Sequence, residues 1–150
     1  MPATPSSRST ARAALNALLA GAATAIALYA AMKVVRVYDL GLGPYGKFAI
    51  SLTLFFMGGA MGGVSARRYE ASLRSAVMAF GALLIGVAAG VVAWNALEDH
   101  VFSSFSPALY QDRKLFPVDV MLMWMLGWAP LLAGLAAGMF FGAGRSRKST

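Results

Sequence analysis

A stretch without a single charged residue, residues 121–144, constrains the fold of this chain most. It reads MLMWMLGWAPLLAGLAAGMFFGAG and is followed at once by basic residues. An α-helix needs roughly 20 apolar residues to cross the hydrocarbon core of a bilayer, and three further apolar runs precede this one. The sequence therefore predicts an all-α integral membrane protein with four transmembrane helices, which we place at about residues 13–35, 48–66, 75–97 and 118–144.

The composition agrees with a membrane protein. The 150 residues are 59% hydrophobic and only 13% charged, whereas soluble domains average roughly 25% charged residues. The net charge of +7 would suggest nucleic acid as a partner of a soluble protein, but here the basic residues flank the apolar runs. Lipid headgroups and topology explain that pattern better, so we expect the lipid bilayer as a partner and no nucleic acid.

Three segments are predicted along the chain. Residues 1–12 are small, polar and basic, and we expect them to form a disordered cytoplasmic N-terminus. Residues 13–144 form the four-span domain, and residues 145–150 form a basic cytoplasmic tail. A signal peptide is the alternative for the first run, with a possible cleavage site at residues 25–27. The apolar run continues past that site to full spanning length, which favours an uncleaved first span.

The distribution of basic residues predicts the orientation, because Lys and Arg concentrate in cytoplasmic loops. One side of the membrane would hold eight of them: Arg8, Arg12, Arg67, Arg68, Arg74, Arg145, Arg147 and Lys148. The other side would hold five: Lys33, Arg36, Lys47, Arg113 and Lys114. Both termini are therefore predicted to be cytoplasmic. Arg outnumbers Lys, and Ala and Gly are abundant, which is typical of a GC-rich bacterium and suggests a bacterial inner membrane.

Small residues recur along the first and third runs at alternating four- and three-residue steps. In the third run they are Ser75, Ala79, Ala82, Gly86, Ala89, Ala93 and Ala96, and in the first Ala13, Ala17, Ala20, Thr24, Ala27 and Ala31. This rhythm is the period of a left-handed helix seam. Between helices in lipid, small residues permit the close backbone approach that stabilises packing. The sequence therefore predicts a compact left-handed bundle.

Glycines at four-residue spacing mark the predicted helix-packing positions. They are Gly58, Gly59, Gly62, Gly63, Gly86, Gly90, Gly134, Gly138 and Gly142. GxxxG pairs are typical of tightly packed transmembrane helices. The alternative is an ion path lined by backbone, but close packing leaves no lumen within one copy, so such a pore would form between copies.

No constellation of residues predicts chemistry. An ionisable group inside a span would be a functional candidate, yet Lys33 and Asp119 lie only at span ends, and His100 is the only histidine. The absence of cysteine excludes disulfides and thiolate metal ligands. We therefore predict no catalytic residue, cofactor or metal, and no enzyme activity. Asn16 and Asn95 are the strongest candidates for hydrogen bonds between helices.

The longest loop, residues 98–117, carries four aromatic residues: Phe102, Phe105, Tyr110 and Phe116. Ser106 and Pro107 resemble an N-cap followed by proline at the first helical position, so a short interfacial helix is predicted there. The aromatics form either a membrane-interface anchor or a docking site for a partner. The basic residues predicted to meet lipid headgroups are Arg67, Arg68, Arg74, Arg145, Arg147 and Lys148.

These features predict a small non-catalytic accessory or assembly subunit of a larger membrane complex. Its partner is expected to bind through lipid-facing helix surfaces and the aromatic loop. The alternative is a small channel or transporter component that acts as a homo-oligomer.

Overall fold

A computed structural model describes residues 7–69, 72–98 and 117–141, and in these ranges the chain is helical apart from short connections. The helices are α1 (Ser7–Val37), α2 (Pro44–Tyr69), α3 (Leu73–Leu97) and α4 (Pro117–Phe141). The predicted interfacial helix and the aromatic loop lie outside the described residues.

The helix ends follow from local sequence. Pro44 opens α2 at the first helical position, where its missing N–H is not needed. Ser72 caps α3, because its side chain accepts a hydrogen bond from the Ser75 backbone N–H at 3.1 Å. At the end of α1, Asp39 has φ +42° and the Leu40 N–H donates to the Val35 carbonyl. That bond and a left-handed residue are the features of a Schellman cap.

The start of α1 differs from the prediction. The helix begins at Ser7, so residues 7–12, predicted to be disordered, are helical. Neither Pro nor Gly interrupts this segment, and it leads directly into an alanine-rich run. Alanine has the highest helix propensity, which allows the helix to extend beyond the apolar region.

Three of the helices are long and apolar enough to cross a membrane: Thr10–Val35, Pro44–Arg68 and Leu73–Leu97. The fourth apolar segment, Met125–Phe141, is shorter in the part whose side chains are described. The described part of the chain is thus all-helical, with three helices of membrane-spanning length.

The helices form two pairs. Helix α1 packs chiefly on α3, and α2 packs chiefly on α4, while contacts between α1 and α2 join the two pairs. Residue numbers rise together across each pair, as in Gly59 against Leu131 and Gly63 against Leu135. The helices within a pair are therefore parallel, and the short α1–α2 connection makes the two pairs antiparallel to one another.

The buried stripes follow four-residue steps. In α1, one row of buried residues is Ala13, Ala17, Gly21, Ala25 and Tyr29; in α3, one row is Ser75, Ala79, Leu83, Val87 and Val91. The predicted alternating rhythm matches only the first half of α3, since Ala89, Ala93 and Ala96 are exposed. In α1 the predicted alternating row is buried from Ala13 to Thr24, so small residues at both spacings line the packed faces.

Large apolar side chains fill the space between the pairs. Leu28, Leu83, Leu131 and Val87 are the largest side chains that are almost fully buried, and Phe55 is 3% exposed. They belong to one hydrophobic cluster that draws on all four helices. The centre of the described part is therefore closed by hydrocarbon.

Candidate functional site

The contact between α1 and α3 depends on residues without a side chain. A Cβ atom added at Gly21 would collide with the Leu83 carbonyl, and one added at Gly86 would collide with the Leu18 carbonyl. One turn further, a Cβ at Gly90 would approach the Ala22 carbonyl to 2.5 Å. Because these neighbours are backbone atoms, the two helices are packed at the distance that glycine permits.

The contact between α2 and α4 repeats this arrangement. Cβ atoms added at Gly59 and Gly63 would collide with the carbonyls of Leu131 and Leu135. On the other helix, Cβ atoms added at Gly134 and Gly138 would collide with the carbonyls of Phe56 and Ala60. Each helix therefore presents small residues four apart to its partner's backbone, and the two pairs have the same reciprocal geometry.

The remaining predicted glycines of α2 join the pairs. A Cβ at Gly58 would collide with the Thr24 hydroxyl on α1, and one at Gly62 would lie 2.9 Å from the Leu83 side chain on α3. Sequence reasoning missed Gly21, which has a clear signal in retrospect: Ala17, Gly21 and Ala25 form a row of small residues at four-residue spacing.

Most described polar groups within the spans bond to their own helix. Thr24 Oγ1 donates to the Ala20 carbonyl at 2.7 Å, Ser51 Oγ to the Lys47 carbonyl at 2.9 Å and Thr53 Oγ1 to the Ala49 carbonyl at 2.8 Å. This local bonding satisfies a hydroxyl inside lipid without a second helix. Asn95 behaves in the same way, since its Nδ2 donates to the Val91 carbonyl of its own helix. The predicted hydrogen bond from Asn95 to another helix is therefore not the one observed.

An ion pair links α1 and α3 at the end where α1 terminates. Lys33 Nζ contacts Glu98 Oε1, and both side chains are about one-fifth exposed, at 17% and 21%. One turn deeper, Tyr29 stacks on Trp94 with ring centroids 5.9 Å apart. Trp94 is 7% exposed, and Tyr29 covers one face of its ring.

The opposite end of the molecule, which we call the basic end, carries Arg12, Arg67, Arg68 and Arg74. Here Arg67 Nη1 donates to the carbonyl of Met139, in the last turn of α4. The last carbonyls of a helix lack partners within the helix, and a cation near them also interacts favourably with the helix dipole. Arg67 was predicted only as a lipid-headgroup contact; the structure adds this bond between α2 and α4.

A groove of about 630 Å³ lies between α1 and α2 near the basic end. It is lined by Asn16, Leu19, Ala20, Ala23, Ala60, Met61, Val64, Ser65 and Arg68. Its walls are mostly apolar, and its polar groups come from Asn16, Ser65 and Arg68. Asn16 was predicted to form a bond between helices, but it is exposed at this groove.

Several predicted positions lie outside the described residues. They are Gly142, Phe102, Phe105, Tyr110, Arg145, Arg147 and Lys148. Phe116 also lies outside the described residues, whereas Arg68 and Arg74 are exposed at the basic end. Among residues 7–69, 72–98 and 117–141, no group of three or more His, Asp or Glu side chains is arranged to hold a metal ion.

Comparison with known proteins adds no family to this description. No protein-family profile, no curated protein and no solved structure shows a significant match to the chain.

Proposed function

We propose that this protein is a non-catalytic accessory or assembly subunit of a larger complex in a bacterial cytoplasmic membrane. The observation that carries the proposal is the closed interior. Leu28, Leu83 and Leu131 fill the centre of the described part, and glycine seams bring the paired helices into backbone contact. Such an interior offers neither a lumen nor a reactive group. The protein would therefore act by binding other molecules through its outward-facing surfaces.

The proposal includes four spans. Helix α4 contains 25 residues, or about 37 Å at 1.5 Å per residue, against a hydrocarbon core of about 30 Å. It follows α2 from the contact between Gly127 and Phe55 to the bond between Arg67 and Met139. A helix aligned in this way with a spanning neighbour is best explained as a span itself.

Purification of the tagged protein in a mild detergent tests the function. We expect another membrane protein to co-purify, and the mass of the particle to exceed that of the chain by the mass of that partner. Replacing Phe102, Phe105 and Tyr110 together with serine should release the partner while the helix content is unchanged. Tyr45→Ser is the control, because Tyr45 is an exposed aromatic outside the aromatic loop and its loss should leave the partner bound.

A homo-oligomeric channel or transporter component is the alternative, and one observation favours it. Ala89, Ala93 and Ala96 leave half of the predicted α3 seam facing outward, where a second copy could pack closely. A stable homo-oligomer without another protein, together with ion flux in liposomes, would contradict the accessory function and support this alternative.

The orientation is tested with single cysteines, since the chain has none of its own. We expect the cysteine in Ser104→Cys to react with an impermeant thiol reagent in intact cells, and those in Ser7→Cys and Ser149→Cys to react only after the membrane is opened. Labelling of either terminal position in intact cells would reverse the proposed topology.

A further inference from the structure

The groove between α1 and α2 has the depth and direction of a site for a lipid. It begins beside the close contact of Thr24 with Gly58 and runs toward the end of α2. From Ala60 to Arg68 it spans eight steps along the helix, about 12 Å at 1.5 Å per step. The spanning part of α2 ends at Arg68, so the groove extends from the level of the headgroups into the hydrocarbon region.

The groove contains a polar group for which the described part of the chain supplies no partner. Ser65 is 9% exposed, and its Oγ makes no hydrogen bond within the described part of the chain. Thr24 on α1 and Ser51 on α2 each donate to a carbonyl of their own helix, and Ser65 departs from that pattern. An unsatisfied buried hydroxyl is unfavourable, and it lies here one turn below the exposed guanidinium of Arg68.

Charge at this end favours an anion. Arg12 stands one helical turn before Asn16, on the same side of α1 as the groove residues Leu19 and Ala23. The acidic residues in the described ranges, Asp39, Glu98 and Asp119, lie at the end of the molecule opposite the basic end, and Glu70 lies outside the described residues. The groove mouth is therefore lined by basic and neutral polar groups of the described chain.

We propose that this groove binds one molecule of an anionic phospholipid. The phosphate is held by Arg68 and the Asn16 amide, and the glycerol oxygens lie above Ser65. One acyl chain runs between Leu19 and Met61, whose exposed side chains form the rims. A soluble anion would use the polar mouth but leave the apolar walls uncovered, whereas a phospholipid matches both parts of the groove.

Native mass spectrometry of the full-length protein in a mild detergent tests the proposal. The protein is titrated with dioleoylphosphatidylglycerol or with dioleoylphosphatidylcholine. We expect one equivalent of phosphatidylglycerol to bind more tightly than phosphatidylcholine. Arg68→Gln should lower the affinity for phosphatidylglycerol about tenfold, the loss typical of one charge-assisted hydrogen bond. Ser65→Ala should lower this affinity less. Arg74→Gln, an exposed arginine at the same end that does not line the groove, should change nothing.

A second variant separates the groove from general attraction to a basic surface. Ala23→Trp places a ring in the groove from an exposed helix position and should abolish the bound equivalent without changing helix content or monodispersity. The proposal would be wrong if both lipids bound equally, or if Arg68→Gln and Arg74→Gln lowered the affinity for phosphatidylglycerol equally. Full binding of phosphatidylglycerol to the Ala23→Trp variant would also overturn it. Displacement by glycerol 3-phosphate, which has no acyl chains, would show a soluble-anion site and also overturn it.

Discussion

Gly86→Leu is expected to destabilise the protein in detergent by about 3 kcal/mol, the upper part of the usual range for overpacking. A Cβ at this position collides with the carbonyl of Leu18, on the neighbouring helix. That neighbour is backbone, so relief requires α1 and α3 to separate rather than one side chain to rotate. Unfolding of the purified protein measures the loss when it is followed by the fluorescence of Trp94 in a background that carries Trp124→Phe and Trp128→Phe.

Gly81→Leu is the matched control, because the same substitution is made in the same helix. A Cβ at Gly81 meets nothing within 4 Å. Leucine also has a higher helix propensity than glycine, by roughly 1 kcal/mol, so this variant should be neutral or slightly more stable. Ala89→Leu should also be silent, since Ala89 is exposed. Equal stability of Gly86→Leu and Gly81→Leu would mean that α1 and α3 are not packed through this seam.

The helices themselves could be predicted from the sequence because their signals are local. Uninterrupted apolar composition marks a spanning helix without knowledge of its neighbours. Gly41, Pro44 and Gly46 likewise mark the first loop and the start of α2. The start of α1 was predicted less well, since the polar residues from Ser7 to Arg12 are compatible with both helix and disorder.

Which helices pack against each other could not be predicted from the sequence, because helix pairing depends on contacts between residues that are distant in the chain. From Gly86, a three-residue step continues to Ala89 and a four-residue step continues to Gly90. The small size of these residues is equally compatible with either row, so only the position of α1 shows that Gly90 is buried and Ala89 is not.

The polar contacts at the helix ends were beyond sequence reasoning for the same reason. Lys33 and Glu98 are separated by 65 positions, and Arg67 and Met139 by 72. A lysine or arginine at the end of a span has a sufficient explanation in the lipid interface. Nothing in the sequence distinguishes such a residue from one that bonds to a neighbouring helix.

Gly63→Leu is expected to detach α4 from α2. Helix α4 packs chiefly on α2, and a Cβ at Gly63 collides with the Leu135 carbonyl. The cysteine-free chain permits a direct measurement, in which Leu135→Cys places one thiol at a position that is 4% exposed. Adding Gly63→Leu should raise the rate of thiol labelling under native conditions about 100-fold, which corresponds to a loss of about 3 kcal/mol in the opening free energy.

Met61→Leu in the same background is the control, because Met61 is 62% exposed and its replacement conserves volume. Its labelling rate should equal that of Leu135→Cys alone. Gly138→Leu acts on the reciprocal contact, against the Ala60 carbonyl, and should raise the rate to a similar extent. Since either substitution already separates the helices, the two together should fall well short of the sum of their separate free-energy effects. Full additivity, or a rate unchanged by Gly63→Leu, would mean that α4 does not depend on the glycine seam for its attachment.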